Sequence, residues 1–470
     1  MKSSKQSGAL VFIALAFLNT PIGVGAQALT PHQQLARDIH KELVDINTVT
    51  ATGDTLEAAE AMAARLKTAG FPDADVQVLS PAPRKGNLVA RLHGTGARRP
   101  ILLLAHLDVV EARREDWSID PFKLLEKDGY LYGRGVWDDK FMAAVFVANL
   151  IRYKQEGFRP VRDIIVALET DEENGDRDML GIQWLLKNHR DLIDAEFALN
   201  EGAGVGLKNG KPLRNGVQTS EKVSFSYRLE VKNRGGHSAF PSRDNAIYHL
   251  AEGLARLAQF EFPVKLNETT RVFFERSAAL EEPQVGADMR ALASSQPDAT
   301  AVARLSTTPA YNAQLRTTCV ATLLEGGHAV NALPQTARAT VNCRILPGEP
   351  VEEVQKTLVR VLADDQISVM PIGTPVLSPP SPLNPEIMQA VERLTAEFWP
   401  GIPVIPTMTA GATDGSYLRN AGIPTYGHSG LATDVADGIH GKDERILVKS
   451  FLDGHEYLYR LVKVLSSDSK

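Results

Sequence analysis

Apolar and polar positions alternate along this chain with two different periods. Residues 31–46 and 55–70 carry helical spacing, the second stopping at Gly70 before Pro72. Asn87–Leu92 reads as a strand, and Pro100 opens the unbroken apolar run Ile101–Ala105. A short run of that kind suits a parallel strand buried on both faces. Phe141–Tyr153 is a strongly apolar helix, Asp163–Leu168 a second buried strand, Gly181–Asn188 a helix and Glu196–Leu199 a third short strand. Such alternation predicts an α/β domain around a mostly parallel central sheet.

The texture changes near residue 220. Ser224–Lys232 alternates like a half-exposed strand, Asn245–Gln259 is an amphipathic helix, and 262–315 is charged and helix-leaning, like an insertion. Arg316–Leu324 and Ala337–Ile345 read as strands, Val351–Ala363 as a helix and Ile367–Met370 as a short strand. Without the insertion the order is β-α-β-β-α-β, the ferredoxin-like pattern. A proline-rich linker, Pro375–Pro385, leads back to alternating helix and strand. The simplest organisation is a leader at 1–26, one α/β domain built from 27–220 and 375–470, and a small α+β domain at 221–374 that carries the insertion.

Composition narrows the function classes. The chain has 470 residues and a net charge of −6, with 43% hydrophobic and 23% charged residues, so it can build a large core. A mildly acidic total argues against nucleic acid as a partner. Lys2 and Lys5, the apolar run Ala9–Leu18 and the small residues Val24-Gly25-Ala26 have the form of an export signal cleaved after Ala26. A secreted or periplasmic protein is therefore expected, with no membrane association after cleavage. Cys319 and Cys343 fall in neighbouring strands, where they form either one disulfide or two buried thiols.

The chemistry collects where buried strands end. Ile101–Ala105 runs into His106-Leu107-Asp108, Asp163–Leu168 into the acidic segment from Glu169 to Gly175, and Glu196–Leu199 into Asn200-Glu201-Gly202. In open α/β sheets the active crevice lies beyond the carboxyl ends of the strands, so these groups converge although distant in sequence. Imidazole and carboxylate donors without thiolate suit zinc, with manganese or cobalt able to substitute. Asp108, two residues beyond His106, is placed to orient that ring. Gly133 to Lys140 forms a glycine-rich turn into the apolar helix; two aspartates there suit cations, not phosphate.

Taken together, the segments resemble the co-catalytic zinc metallopeptidase family of aminoacylases, carboxypeptidase G, carboxypeptidase S and succinyl-diaminopimelate desuccinylase. The matching segments are His106 to Asp108, Gly133 to Lys140, Asp171 to Gly175, Asn200 to Gly202, Gly235 to Ser238, Gly326 to Pro334 and Ile439 to Glu444, in the family's order. The resemblance implies two zinc ions per chain, held by His106, Asp138 as the bridge, Glu173, Glu201 and a late histidine. His440, followed four residues later by Glu444, fits that last place better than His428. It further implies Glu172 as general base, Asp108 as the partner of His106, His237 as oxyanion donor from a lid domain, Asn331 and Arg344 as substrate-binding residues, and a cis peptide at Asp138-Asp139. Ala410 to Asp414 matches a substrate loop, although the family's leading Gly-Gly is Ala-Gly here.

The implied activity is hydrolysis of short peptides next to a free carboxylate, as by a carboxypeptidase or dipeptidase. N-acyl amino acids are the alternative substrates, and a non-catalytic binding protein on the same scaffold is the alternative of another class. His237 reaches the site either by lid closure or from the partner in a homodimer. The insertion 262–315 is a candidate to cover the lid surface that such a dimer uses.

Overall fold

The computed structural model describes residues 28–174, 180–294, 296 and 298–468. The leader expected at 1–26 and Gly175 of the acidic segment lie outside the described residues. In chain order the principal strands of the first half are β1 (Val76–Ala82), β2 (Lys85–Leu92), β3 (Ile101–His106), β4 (Ile164–Glu169), β5 (Phe197–Lys208) and β6 (Lys211–Glu221). Then come β7 (Val223–Lys232), β8 (Thr318–Gly326), β9 (Thr336–Ile345) and β10 (Ile367–Ile372), and finally β11 (Val404–Thr409) and β12 (Thr425–Thr433).

Eight of these strands form the central sheet in the order β1-β2-β4-β3-β5-β12-β6-β11. Its middle is parallel: β3 pairs with β4 and β5, β5 with β12, and β11 with β6. Antiparallel pairs occur at β1–β2, β2–β4, β12–β6 and the hairpin β5–β6. Every residue of β3 and β4 is buried, as expected for strands covered on both faces. One cover is the helix Lys140–Gln155, buried nearly all round and packed on Pro31–Asp45 and Val448–Leu465. Local chemistry fixes the helix starts: Thr30 and Gln33 form a capping box, and Asp54 caps Thr55–Thr68.

The second domain has the strand order β8-β9-β7-β10, all antiparallel, with Ala246–Ala258 and Val351–Leu362 on one face. This is the ferredoxin-like arrangement. Cys319 and Cys343 stand directly opposite on β8 and β9 and form a disulfide.

The insertion sits elsewhere than on the outer strand of the second domain. Its helices, Glu268–Ser277 to Pro309–Leu315, close a small core on Ile405 of β11. Arg276 donates to the Val404 carbonyl and Gln314 to the Met408 carbonyl, both at 2.8 Å. The insertion thereby caps the free edge of the central sheet, a position that otherwise invites intermolecular pairing. The corresponding edge of the second domain, β8, stays open, with Val320, Leu323 and Leu324 each more than 60% exposed.

Candidate metal centre

Three strands, one turn and one loop deliver the site. His106 is the last residue of β3, Glu172 and Glu173 follow β4, and Glu201 lies within β5 just past its buried start. Asp138 comes from the turn before Lys140–Gln155, and its peptide to Asp139 is cis. Donor atoms of His106, Asp138 and Glu201 lie within 4.8 Å of one another, as do those of Asp138, Glu173 and His440. His106, Glu172 and Glu173 form a third such group. Asp138 belongs to both of the first two: His106 Nε2 is 3.0 Å from its Oδ1 and His440 Nε2 is 2.9 Å from its Oδ2. His440 Nε2 is also 2.7 Å from Glu173 Oε1.

His428, the rival late histidine, is elsewhere. It is fully buried, with Nδ1 against the Gly216 carbonyl and Nε2 against the Tyr457 hydroxyl, both at 2.7 Å. Burial holds its pKa down at about 4, so it is a neutral core residue.

Neighbouring groups hold the cluster in place. Glu444, buried and paired with Arg134, accepts from the Trp137 amide at 3.0 Å and the Asp138 amide at 3.3 Å. Arg134 also donates to the carbonyls of His440 and Gly441 at 3.2 and 3.0 Å. One buried ion pair thus fixes the turn bearing Asp138 and the loop bearing His440. Asp108 differs from its expected part. The group nearest to His106 Nδ1 is the Asp108 carbonyl, at 2.9 Å, while the carboxylate is 3.7 Å away. That carboxylate instead accepts from the backbone amides of Glu172 and Glu173, at 3.2 and 3.0 Å. It braces the acidic pair, and the carbonyl orients the ring.

The electrostatics ask for cations. Burial, with the neighbouring carboxylates, pushes Glu172 and Glu201 well above the ordinary carboxyl range. Burial, helped by the nearby carboxylates of Asp171 and Glu173, raises Asp108 to about 6. Burial also opposes ionisation of Asp138, but hydrogen bonds from His106 and His440 overcome it and hold its carboxyl far below the usual value. Hydrogen bonds to Asp138 and Glu173 carry His440 up to about 10. So many converging carboxylates with two imidazoles and no thiolate form a donor set that fits a pair of divalent ions.

A cleft of about 500 Å³ opens beside Glu172 and Glu173 and is lined by Lys222, Ser378, Thr413 and Tyr417 among others. Arg344, on β9, donates to the Ala410 carbonyl at 3.0 Å. Lys222, which the sequence analysis missed, is buried between β6 and β7 and donates to the Arg316 carbonyl at 2.7 Å. Neither cation has a carboxylate within ion-pairing distance among the described residues. Burial and the nearby Arg344 lower the Lys222 pKa to about 7. Beneath the cleft, buried Glu221 pairs with Arg419 and accepts from the Thr413 amide and hydroxyl at 3.1 and 3.0 Å, fixing the 410–414 loop.

His237 and Asn331 are brought together in the second domain. His237 pairs in register with Ala332, and the Ser238 amide donates to the Asn331 carbonyl at 3.0 Å. Both side chains are exposed, and His237 Nδ1 accepts from the Ala239 amide at 3.1 Å. His237 belongs to none of the donor groups around Asp138.

Residues 102–464 match the model of peptidase family M20/M25/M40. The chain belongs to that family. It is a metallopeptidase-class hydrolase, and its α/β fold is the M20 fold. The N-fatty-acyl-amino acid synthase/hydrolase PM20D1 of Xenopus tropicalis is 32% identical over 359 residues, covering 74% of this chain and 69% of the relative. The Dictyostelium discoideum protein named probable carboxypeptidase S-like 2 is 29% identical over 380 residues, covering 78% and 71%. Among solved structures, the M20 family metallo-carboxypeptidase Sso-CP2 from Sulfolobus solfataricus aligns with a TM-score of 0.63 at 17% identity, covering 91% of this chain and 98% of that one.

Proposed function

We propose that this M20 enzyme is an exported two-metal hydrolase of amide bonds whose leaving amine carries a free carboxylate. The observation that carries this reading is the pair of donor groups sharing Asp138, with Glu172 beside them and, near the adjoining cleft, Lys222 and Arg344, which have no carboxylate partner among the described residues. His106, Asp138 and Glu201 would hold one ion, and Asp138, Glu173 and His440 the other. Zinc is the proposed metal, with manganese or cobalt able to substitute. Such a pair supplies Lewis-acid polarisation of the scissile carbonyl and activation of water when bound.

The remaining steps belong to the chain. Glu172, kept basic enough by burial to take a proton, removes it from the attacking water and passes it to the leaving amine. Arg344, with Lys222 behind it, anchors the substrate carboxylate. Asn331 holds the substrate from the lid, and His237 donates to the developing oxyanion. That donation needs lid closure or a second copy of the chain. For the latter, the open β8 edge offers a two-fold contact through Val320, Leu323 and Leu324.

The substrates proposed are short peptides cut next to the terminal carboxylate. The names of the similar proteins PM20D1 favour N-acyl amino acids as a second reading. Comparing kcat/KM for a dipeptide panel with that for N-acyl amino acids separates the two; no metal-dependent turnover of either contradicts both.

Two further results are expected. Arg344→Ala raises KM about ten- to hundredfold for carboxylate substrates, the worth of a charge-assisted hydrogen bond, and barely affects their carboxamides. Equal losses on acid and amide would remove Arg344 from carboxylate binding. Leu324→Lys at the β8 edge converts a dimer to a monomer in light scattering. An unchanged mass would place any contact elsewhere.

A further inference from the structure

Both cations of the proposed carboxylate site stand at one end of the second domain's sheet. Lys222 immediately precedes β7, Arg344 is the last residue but one of β9, and Arg316 lies two residues before β8. Ile345 pairs with Val223 and Thr318 with Arg344, so the three segments lie side by side. The Lys222 ammonium donates to the Arg316 carbonyl at 2.7 Å, and Arg344 donates to the Ala410 carbonyl at 3.0 Å. Ala410 opens the loop whose Ala412 and Thr413 line the cleft, as Lys222 does.

The segment that offers the Arg316 carbonyl is the least supported of the three. β7 and β9 each have a strand on both sides, whereas β8 pairs with β9 alone, and its register shifts between Ala321 and Leu323. Its start follows directly from the insertion, whose helices close their core on β11. An edge strand held from one side is the element free to slip. One covalent tie fixes it: Cys319 stands opposite Cys343, and the disulfide joins them one residue from Arg344. Successive side chains of a strand point to opposite faces. Cys343 is fully buried in the domain core, so Arg344 stands on the other face, and the bond grips the strands from behind. Thr317 adds to the tie, accepting from the Leu346 amide at 2.9 Å and donating to Glu349.

We infer that Cys319 and Cys343 are positioning residues for substrate binding: their disulfide fixes the Arg316 carbonyl on the Lys222 ammonium and so holds that cation beside Arg344. This rests on the carboxylate-anchoring reading above. A buried ammonium is costly unless it is hydrogen-bonded. With the bond open, the start of β8 can move off β9, the carbonyl leaves, and the positive charge beside Arg344 is weakened. The metal donors lie outside β7, β8 and β9, so the effect falls on binding of the carboxylate and not on the chemical step.

The test compares an N-acyl amino acid with its carboxamide on the metal-loaded full-length protein, oxidised and after treatment with a trialkylphosphine. In that treatment the S–S bond breaks, water gives a hydrogen to each sulfur and its oxygen to the phosphine, and two thiols and a phosphine oxide result. Reduction should raise KM for the acid at least about threefold, part of the worth of one charge-assisted hydrogen bond, with kcat and the carboxamide's KM held within about twofold. Reoxidation should restore the acid's KM, and Cys319→Ala/Cys343→Ala should behave like the reduced protein. Lys222→Met should raise the acid's KM in both states, and reduction should add nothing to it, because both changes remove one contact. Equal effects on acid and carboxamide, no effect of opening the bond, or a further acid-specific rise in reduced Lys222→Met overturns the positioning role alone. If neither Lys222→Met nor Arg344→Ala separates acid from carboxamide in the oxidised protein, the carboxylate reading falls and the positioning role with it.

Discussion

Replacing Glu172 by Gln is expected to lower kcat by about 10²–10⁴-fold, the usual worth of general acid–base catalysis. The amide keeps the shape of the side chain. The backbone amide of residue 172 still donates to Asp108, so the acidic pair stays braced. Glu172 lies in only one of the three donor groups, and that one already contains His106 and Glu173. Metal content and thermal stability should therefore stay close to those of the unaltered protein. The measurement pairs single-turnover kinetics with metal analysis of the same sample. Near-normal turnover in a metal-loaded Glu172→Gln protein would take the proton-transfer role away from this residue.

Asp138→Ala should be more damaging still. Asp138 is common to both of the proposed donor groups, so its loss loosens both positions at once. It also leaves His106 and His440 without the carboxylate that each faces at about 3 Å. Lewis-acid stabilisation is worth several kcal/mol, and each 1.36 kcal/mol is tenfold in rate, so a loss of at least about 10³-fold is expected. The variant should retain less than one tightly held ion per chain. His428→Ala provides the contrast: it opens a hole between Gly216 and Tyr457 and should cost stability without changing metal stoichiometry. A Asp138→Ala protein that keeps both ions would refute the sharing of that carboxylate.

Much of this architecture was legible in the chain because the signals are local. The runs Ile101–Ala105 and Ile164–Leu168 are apolar without interruption, and both lie in strands buried on each face. The ferredoxin-like order of the lid also followed from element spacing, and its sheet has the matching strand order. The hairpin β5–β6 was read only up to Leu199. Beyond it Gly202, Gly204 and Gly206 suppress the strand signal, since glycine is depleted in strands. Those glycines serve close approach instead: a Cβ on Gly204 would meet Ser429 Oγ at 2.6 Å.

Non-local facts were beyond reach. Nothing in the composition of 262–315 says that its helices cap β11 and not the lid. Lys222 looks like any charged residue ahead of a strand, and only the fold shows it buried, donating to the Arg316 carbonyl. The proximity of Asp108 to His106 was anticipated from two-residue spacing, yet the carboxylate turns to the amides of 172 and 173. Backbone donors compete for a carboxylate as strongly as a ring does, and spacing alone does not rank them.

The central claim is that turnover depends on two ions gathered around Asp138. The direct measurement is a titration of chelator-stripped protein with zinc, following hydrolysis of a carboxylate-bearing amide alongside metal content. Negligible turnover is expected in the stripped protein, with activity rising to a plateau at two ions per chain. Full turnover in protein containing no divalent metal would contradict it.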